Sequence, residues 1–333
     1  MEGRLDVMRK RHVLLAFAAA GAASGAAVVA SERRLLRRMN EAPLPSRWSS
    51  PRFPEGSELM VPTDDGAELV VARAGAEHGP AVVLVHGLTS NHHDWGPVAA
   101  ALVDRGFHVV GINQRGHGGS TVGSEGFGPA RQGADVGQVL AALDLDDVTL
   151  CGHSMGGIAA LSLLTLRPET GAGRVGRLVP IATLADAHGR DRRAALKVGN
   201  TQQYRNLADH PQHAAAMARF LFGAPTPNRA MVDQSLQSYL ACPFETRVGA
   251  AQAMVDYDVR HLLADIELPT VVICGTHDRL TSHRENKAIA DAIPGATFVS
   301  VADAGHMVIW ENAGLIARTI AELASSATES ARA

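Results

Sequence analysis

Ala81-Val82-Val83-Leu84-Val85 carries no polar side chain, and short runs rich in β-branched and apolar residues recur at 108–112, 147–151, 177–181, 270–274 and 297–301. Each is too short for a buried helix and reads as a strand covered on both faces. Helical stretches separate them, near 94–105, 130–143, 155–166, 283–292 and 311–325. Such alternation leaves few solutions. The simplest is an α/β fold, a doubly wound, mostly parallel sheet with helices on both sides. Two further strands, 58–61 and 68–72, flank a turn at Asp64-Asp65-Gly66. The rhythm breaks over 186–262, which reads as several helices with no strand, an inserted helical cap over one end of the sheet. The core is then expected over 57–185 and 263–325, with a tail at 326–333.

Composition excludes several classes. The 333 residues are 46% hydrophobic and 20% charged, enough to bury a sizeable core. Aromatics at 4% are too few for a single-strand nucleic-acid binder, and a net charge of −3 argues against any polyanion partner. Three cysteines, Cys151, Cys242 and Cys274, with no Cys-x-x-Cys pair, exclude a disulfide framework and a structural zinc site. His92-His93-Asp94 has metal-ligating residue types, but adjacent side chains point apart on most backbones. No metal and no cofactor is expected.

The charge is unevenly spread: residues 1–40 carry a net +5 and the rest a net −8. Residues 13–30, without a charge, lie between Arg9-Lys10-Arg11 and four arginines at 33, 34, 37 and 38. Eighteen helical residues reach about 27 Å, barely the bilayer core. Three readings compete. One is an uncleaved anchor that makes the protein membrane-associated. Another is a signal peptide with Val28 and Ala30 at the cleavage positions, which makes it secreted. The third is an Ala-rich soluble helix of a cytoplasmic protein. The arginines after the apolar segment oppose export and favour the anchor. Pro43, Pro45, Pro51 and Pro54 then mark a linker, so 1–56 is set apart from the fold.

Ligands of open α/β sheets bind beyond the carboxyl ends of the strands. There Gly152-His153-Ser154-Met155-Gly156 follows a buried strand and opens a helix. A serine in such a turn points out of the sheet, and the flanking glycines let strand and helix close on each other. The hydroxyl needs a base and the base an orienting acid. His306 and Asp278 each follow a later strand, and the chain order Ser154, Asp278, His306 suits that pairing. Two backbone N–H groups are expected to hold a developing oxyanion: Met155, after the nucleophile, and Leu88, after His86-Gly87.

The body resembles the α/β-hydrolase-fold serine hydrolases, of the capped, esterase- or lipase-like, actinobacterial type. The resemblance covers about 57–325 and rests on VLVHGL (83–88), QRGHGGS (114–120), GHSMGG (152–157), ICGTHDRLT (273–281) and GHMVIWE (305–311). Two positions depart from it: Asn113, where relatives often carry Asp, and Ser282, where Pro is common. The resemblance implies that QRGHGGS is a structural loop and His117 not catalytic.

The fold hosts many reactions, so the nucleophile must discriminate. Epoxide hydrolases and dehalogenases resemble this chain but place Asp where Ser154 stands. A serine implies acyl transfer through an acyl-enzyme. The cap, apolar with Phe222, Tyr239 and Tyr204 as candidate substrate-binding residues, points to a small-molecule carboxylic ester with an apolar acyl or alcohol part. A monoacylglycerol-like lipid suits an anchored enzyme. A thioesterase, a C–C hydrolase, a cofactor-free peroxidase and a non-catalytic binding protein stay open.

Overall fold

The computed structural model describes residues 34, 37–45, 51–187, 219–223 and 227–330. The chain divides into two units, Met1–Pro43 and Leu44–Ala333. In the first, Arg37 and Glu41 form an exposed i,i+4 ion pair at 2.8 Å. The apolar segment 13–30 and Tyr204 lie outside the described residues. Among the described residues no helix is long and apolar enough to cross a membrane.

The second unit is built on one eight-stranded sheet. Its strands are β1 (Ser57–Pro62), β2 (Glu68–Gly75), β3 (Ala81–Val85), β4 (His108–Ile112), β5 (Val148–His153), β6 (Val175–Ile181), β7 (Val271–Gly275) and β8 (Thr297–Val301). Their order is β1-β2-β4-β3-β5-β6-β7-β8. The β1–β2 and β2–β4 pairs are antiparallel and the rest parallel. The helices between are α1 (Gly96–Val103), α2 (Pro129–Ala142), α3 (Met155–Thr165), α4 (Arg229–Ala241), α5 (Phe244–Ala253), α6 (His283–Ala292), α7 (Val308–Glu311) and α8 (Ala313–Ser330). Helix α1 packs on α8 and α2 on α3, giving the two helical layers expected of strand–helix alternation. The continuous apolar runs are the central strands: β3, β4 and β5 are buried along almost their whole length. The order β4-β3-β5 means that the chain winds outward from β3 and then returns across it. That reversal opens a crevice at the carboxyl ends of β3 and β5.

Two boundaries differ from the sequence reading. Pro51 and Phe53, counted there as linker, are buried, because the Phe53 ring meets the His92 ring edge-on at 5.3 Å. Helix α8 runs on to Ser330, through a stretch with no Gly or Pro to stop it. The final turn before α6 uses Ser282 as an N-cap, in a capping box with Glu285, where the family often has Pro.

Candidate active site

Ser154 sits between β5 and α3 with φ 54° and ψ −118°, a conformation that L residues rarely adopt. Four hydrogen bonds hold it there. Its N–H donates to Ile181 O of β6 at 2.9 Å, its carbonyl accepts the Thr183 hydroxyl at 2.7 Å, and the Gly157 and Ile158 N–H groups bond the same carbonyl. Strand and helix approach so closely that a Cβ on Gly156 would lie 2.1 Å from Val85 O. Hence the sequence needs Gly there, and the strain at Ser154 is imposed by its neighbours.

Asp278 and His306, on the loops after β7 and β8, meet directly. His306 Nδ1 lies 2.9 Å from Asp278 Oδ2, and both side chains are buried. Asp278 Oδ1 also accepts the Leu280 and Thr281 N–H groups, and Oδ2 the Thr281 hydroxyl at 2.8 Å. Burial raises the affinity of this carboxyl for a proton. The positive charge available on His306, and the hydrogen bonds from His306 and Thr281, outweigh it and hold Asp278 below the usual carboxylate range. The hydrogen bonds among described residues do not include the Ser154 hydroxyl. The link from the Ser154 turn to His306 is its neighbour His153, whose Nε2 lies 2.8 Å from His306 O. Burial and then the charge on His306 push the His153 imidazole down to about 3, so the ring stays neutral and donates from Nε2.

The segment after β3 comes equally close. A Cβ on Gly87 would stand 3.1 Å from Ser154 Cβ. His86 Nε2 accepts the Gln114 N–H at 3.0 Å and His117 Nε2 the Thr89 N–H at 3.3 Å, strapping the segment to the QRGHGGS loop. The Leu88 N–H has no acceptor among the described residues. Met155 is the first residue of α3, where an N–H has no intrahelical partner. Arg115 anchors the loop from below through buried ion pairs to Asp65 and Asp135. His117 is thus a strut, as the resemblance implies. Asn113, the departure from the family pattern, donates from Nδ2 to Gly118 O at 2.7 Å, which a carboxylate cannot do.

The described parts of the insertion lie over these same loops. Ser238 of α4 reaches Asp94 Oδ1 at 3.3 Å, and Thr246 of α5 reaches Gly116 O at 3.2 Å. Leu221 O accepts the Met307 N–H, and Glu311 bonds the N–H groups of both Gly223 and Gly305. Gly223 and Gly305 pass so closely that a Cβ on Gly305 would be 2.3 Å from Gly223 N. The candidate pocket residues divide. Tyr239 is half-buried, with the Arg247 guanidinium 4.5 Å above its ring centroid. Phe222 is 2% exposed and tilted against Trp310 at 6.2 Å; it is packing between the insertion and α7, not a wall open to solvent. The cysteines are free and buried, Cys151 and Cys274 on strands β5 and β7 and Cys242 at the end of α4.

Sequence reasoning missed His153, Thr281, Asp94 and Asn286. Asn286 accepts the Thr183 N–H and donates to Thr281 O, so one amide supports both the Ser154 and Asp278 loops. Only Thr281 had a signal, in the spacing of Asp-Arg-Leu-Thr.

The fold, the strained serine and the Asp278–His306 pair on one sheet end define a class, and the comparisons agree: the sequence profile described as "alpha/beta hydrolase fold" matches residues 80–313. The chain belongs to that family. It is 30% identical over 258 residues to 3-oxoadipate enol-lactonase 1 of Acinetobacter baylyi, covering 75% of this chain and 90% of that one. It is 28% identical to the non-heme chloroperoxidase CPO-A1 of Kitasatospora aureofaciens, over 70% of this chain and 86% of that one. Among solved structures, a thermophilic esterase from Thermogutta terrifontis superposes with a TM-score of 0.70 at 25% identity, covering 80% of this chain and 97% of that one.

Proposed function

We propose that the protein is a serine hydrolase that cleaves a carboxylic ester with an apolar acyl or alcohol part through an acyl-enzyme. The observation that carries this is the strained Ser154 set beside the hydrogen-bonded Asp278–His306 pair. In this reading Ser154 Oγ attacks the ester carbonyl. Its proton passes to His306 Nε2, the nitrogen left over once Nδ1 faces Asp278. The Asp278 carboxylate, kept ionised by its hydrogen bonds, stabilises the imidazolium. The Leu88 and Met155 N–H groups hold the oxyanion. His306 then returns the proton to the departing alcohol, and water hydrolyses the acyl-enzyme by the same steps reversed. Similarity to an enol-lactonase and an esterase supports the reading, since a lactone is a cyclic ester. The helices α4 and α5 and Tyr239 would shape the acyl or alcohol site. The segment 13–30 would attach the enzyme to a membrane, which carbonate extraction of the membrane fraction tests.

The decisive experiment is a chain-length series of aryl esters with Ser154→Ala as control, together with labelling by a fluorophosphonate. Ser154→Ala should fold, lose labelling, and keep at most the roughly 10³–10⁴-fold residual advantage over water that binding and the oxyanion hole provide. A folded Ser154→Ala with near wild-type turnover would refute the assignment. The chloroperoxidase relative favours one second reading, peroxide-dependent halogenation. Halide-dependent turnover with peroxide, without any ester cleavage, would establish it instead.

A further inference from the structure

A second group of chemistry-bearing side chains lies outside the machinery just described. The turn His92–Trp95 is a single 3-10 turn capped by Asn91, whose Oδ1 accepts the His93 N–H at 2.9 Å. In this turn the adjacent imidazoles of His92 and His93 do not point apart: their ring centroids are 4.1 Å from each other. Glu58 of the edge strand β1 faces them, with Oε1 3.2 Å from His92 Nε2. The three side chains each offer one ligand atom, all within 4.8 Å of one another.

The hydrogen bonds of His92 give this cluster direction. Asn113 is oriented on two sides: its Nδ2 donates to Gly118 O, and its Oδ1 accepts the His92 N–H at 2.7 Å. A flipped amide would lose both bonds. Oδ1 is therefore the atom 2.9 Å from His92 Nδ1, and Nδ1 must carry the ring proton. In the neutral ring Nε2 then holds a lone pair, buried, without a hydrogen-bond partner, and aimed at a carboxylate oxygen. Two electron-rich atoms in that position call for a cation between them. We propose that Glu58, His92 and His93 bind one divalent transition-metal ion.

The spacing fits. Ligands held at about 2.0–2.2 Å around zinc lie about 2.8–3.6 Å apart at octahedral to tetrahedral angles. The His92–Glu58 separation of 3.2 Å is inside that range. Glu58 is 59% exposed, so its side chain has room to close on the third ligand, with water completing the shell. His93 Nδ1 accepts the Phe53 N–H at 3.2 Å, the long end of hydrogen-bond range, and exchanges that bond for the metal. The His92 Nδ1–H bond to Asn113 is the outer contact that metal-bound histidines usually make. Two imidazoles and a carboxylate select Zn²⁺, Ni²⁺ or Cu²⁺ over Mg²⁺ and Ca²⁺. Bound metal would tie edge strand β1 to the turn four residues beyond Leu88.

The test uses full-length protein without a histidine tag, stripped with chelator and titrated with Zn²⁺ by calorimetry and with Cu²⁺ by electron paramagnetic resonance. One Zn²⁺ per chain is expected, with Tm rising with metal concentration and a Cu²⁺ spectrum showing nitrogen coupling. Glu58→Gln and His93→Gln should each weaken binding by at least roughly 10–100-fold, the loss that follows when only an outer contact of a metal ligand is removed. The exposed His78→Gln should leave it unchanged. His92 is left intact because it is buried, and circular dichroism confirms that the two variants fold. No Zn²⁺ binding by the wild type overturns the proposal. So does binding that folded Glu58→Gln and His93→Gln retain at full strength, or that His78→Gln abolishes.

Discussion

Replacing Asp94 by Asn removes a carboxyl group that the fold buries at a cost. Asp94 is 3% exposed, in the turn before α1. Its only side-chain donors in the described structure are the Ser90 and Ser238 hydroxyls. Burial outweighs them and pushes the group up from 3.8 to about 6. The folded state therefore binds this proton more tightly than the unfolded chain. Between about pH 4 and pH 6 the folded protein holds more protons, so stability falls as pH rises through that window, and above it the full cost is present. Two units at about 1.4 kcal/mol each amount to about 3 kcal/mol. Asn carries no charge, and the serine hydroxyl that faces its amide nitrogen can rotate to accept while the other keeps donating to its amide oxygen. Urea unfolding of wild type and Asp94→Asn at intervals from pH 4 to pH 8 isolates the effect, because all other titrations cancel in the difference. The variant should match the wild type near pH 4 and gain up to about 3 kcal/mol by pH 8. A gain independent of pH, or a variant less stable than wild type at pH 8, would refute the reasoning.

Phe222→Ala should cost about 3–5 kcal/mol of stability, as an aromatic removed from a filled site does. Because Phe222 lies against Trp310, urea unfolding should show that loss while the chain-length preference of the folded variant stays unchanged. Gly87→Ala sets a Cβ 3.1 Å from Ser154 Cβ and 3.3 Å from His153 Nδ1, so kcat on an aryl ester should fall toward the roughly 10²–10³-fold loss of an oxyanion donor. Overpacking alone would cost about 1–3 kcal/mol of stability, and a variant with wild-type kcat would show that this backbone has no part in the reaction. Cys151 and Cys274 are buried thiols whose pKa burial pushes up strongly, so a thiol reagent at pH 8 should modify neither until denaturant is added. Fast labelling of either in native protein would contradict their burial.

Much of this protein is set locally. The apolar runs at 81–85, 108–112 and 147–151 can only be strands buried on both faces, and alternation with helices leaves a doubly wound sheet as their packing. The Ser154 turn is legible in part for the same reason, since Gly152 has a steric cause within a few residues, at Gly156 O, whereas Gly156 is required by Val85 O of the neighbouring strand β3. Asp278 and His306 were legible only as positions at strand ends; their hydrogen bond spans 28 residues and needed β7 and β8 to be neighbours. Nothing local distinguishes Phe222 as packing from Tyr239 as a partly open surface, because burial depends on what the rest of the chain lays over each. His92 and His93 mark the limit most clearly. Side-chain direction in adjacent residues depends on the turn they occupy, and the carboxylate that completes their cluster comes from β1, more than thirty residues earlier. The sequence by itself determined the sheet, its order of elements and the residue types at its ends. Tertiary structure alone decided which buried polar groups face each other, because that depends on contacts between segments far apart in the chain.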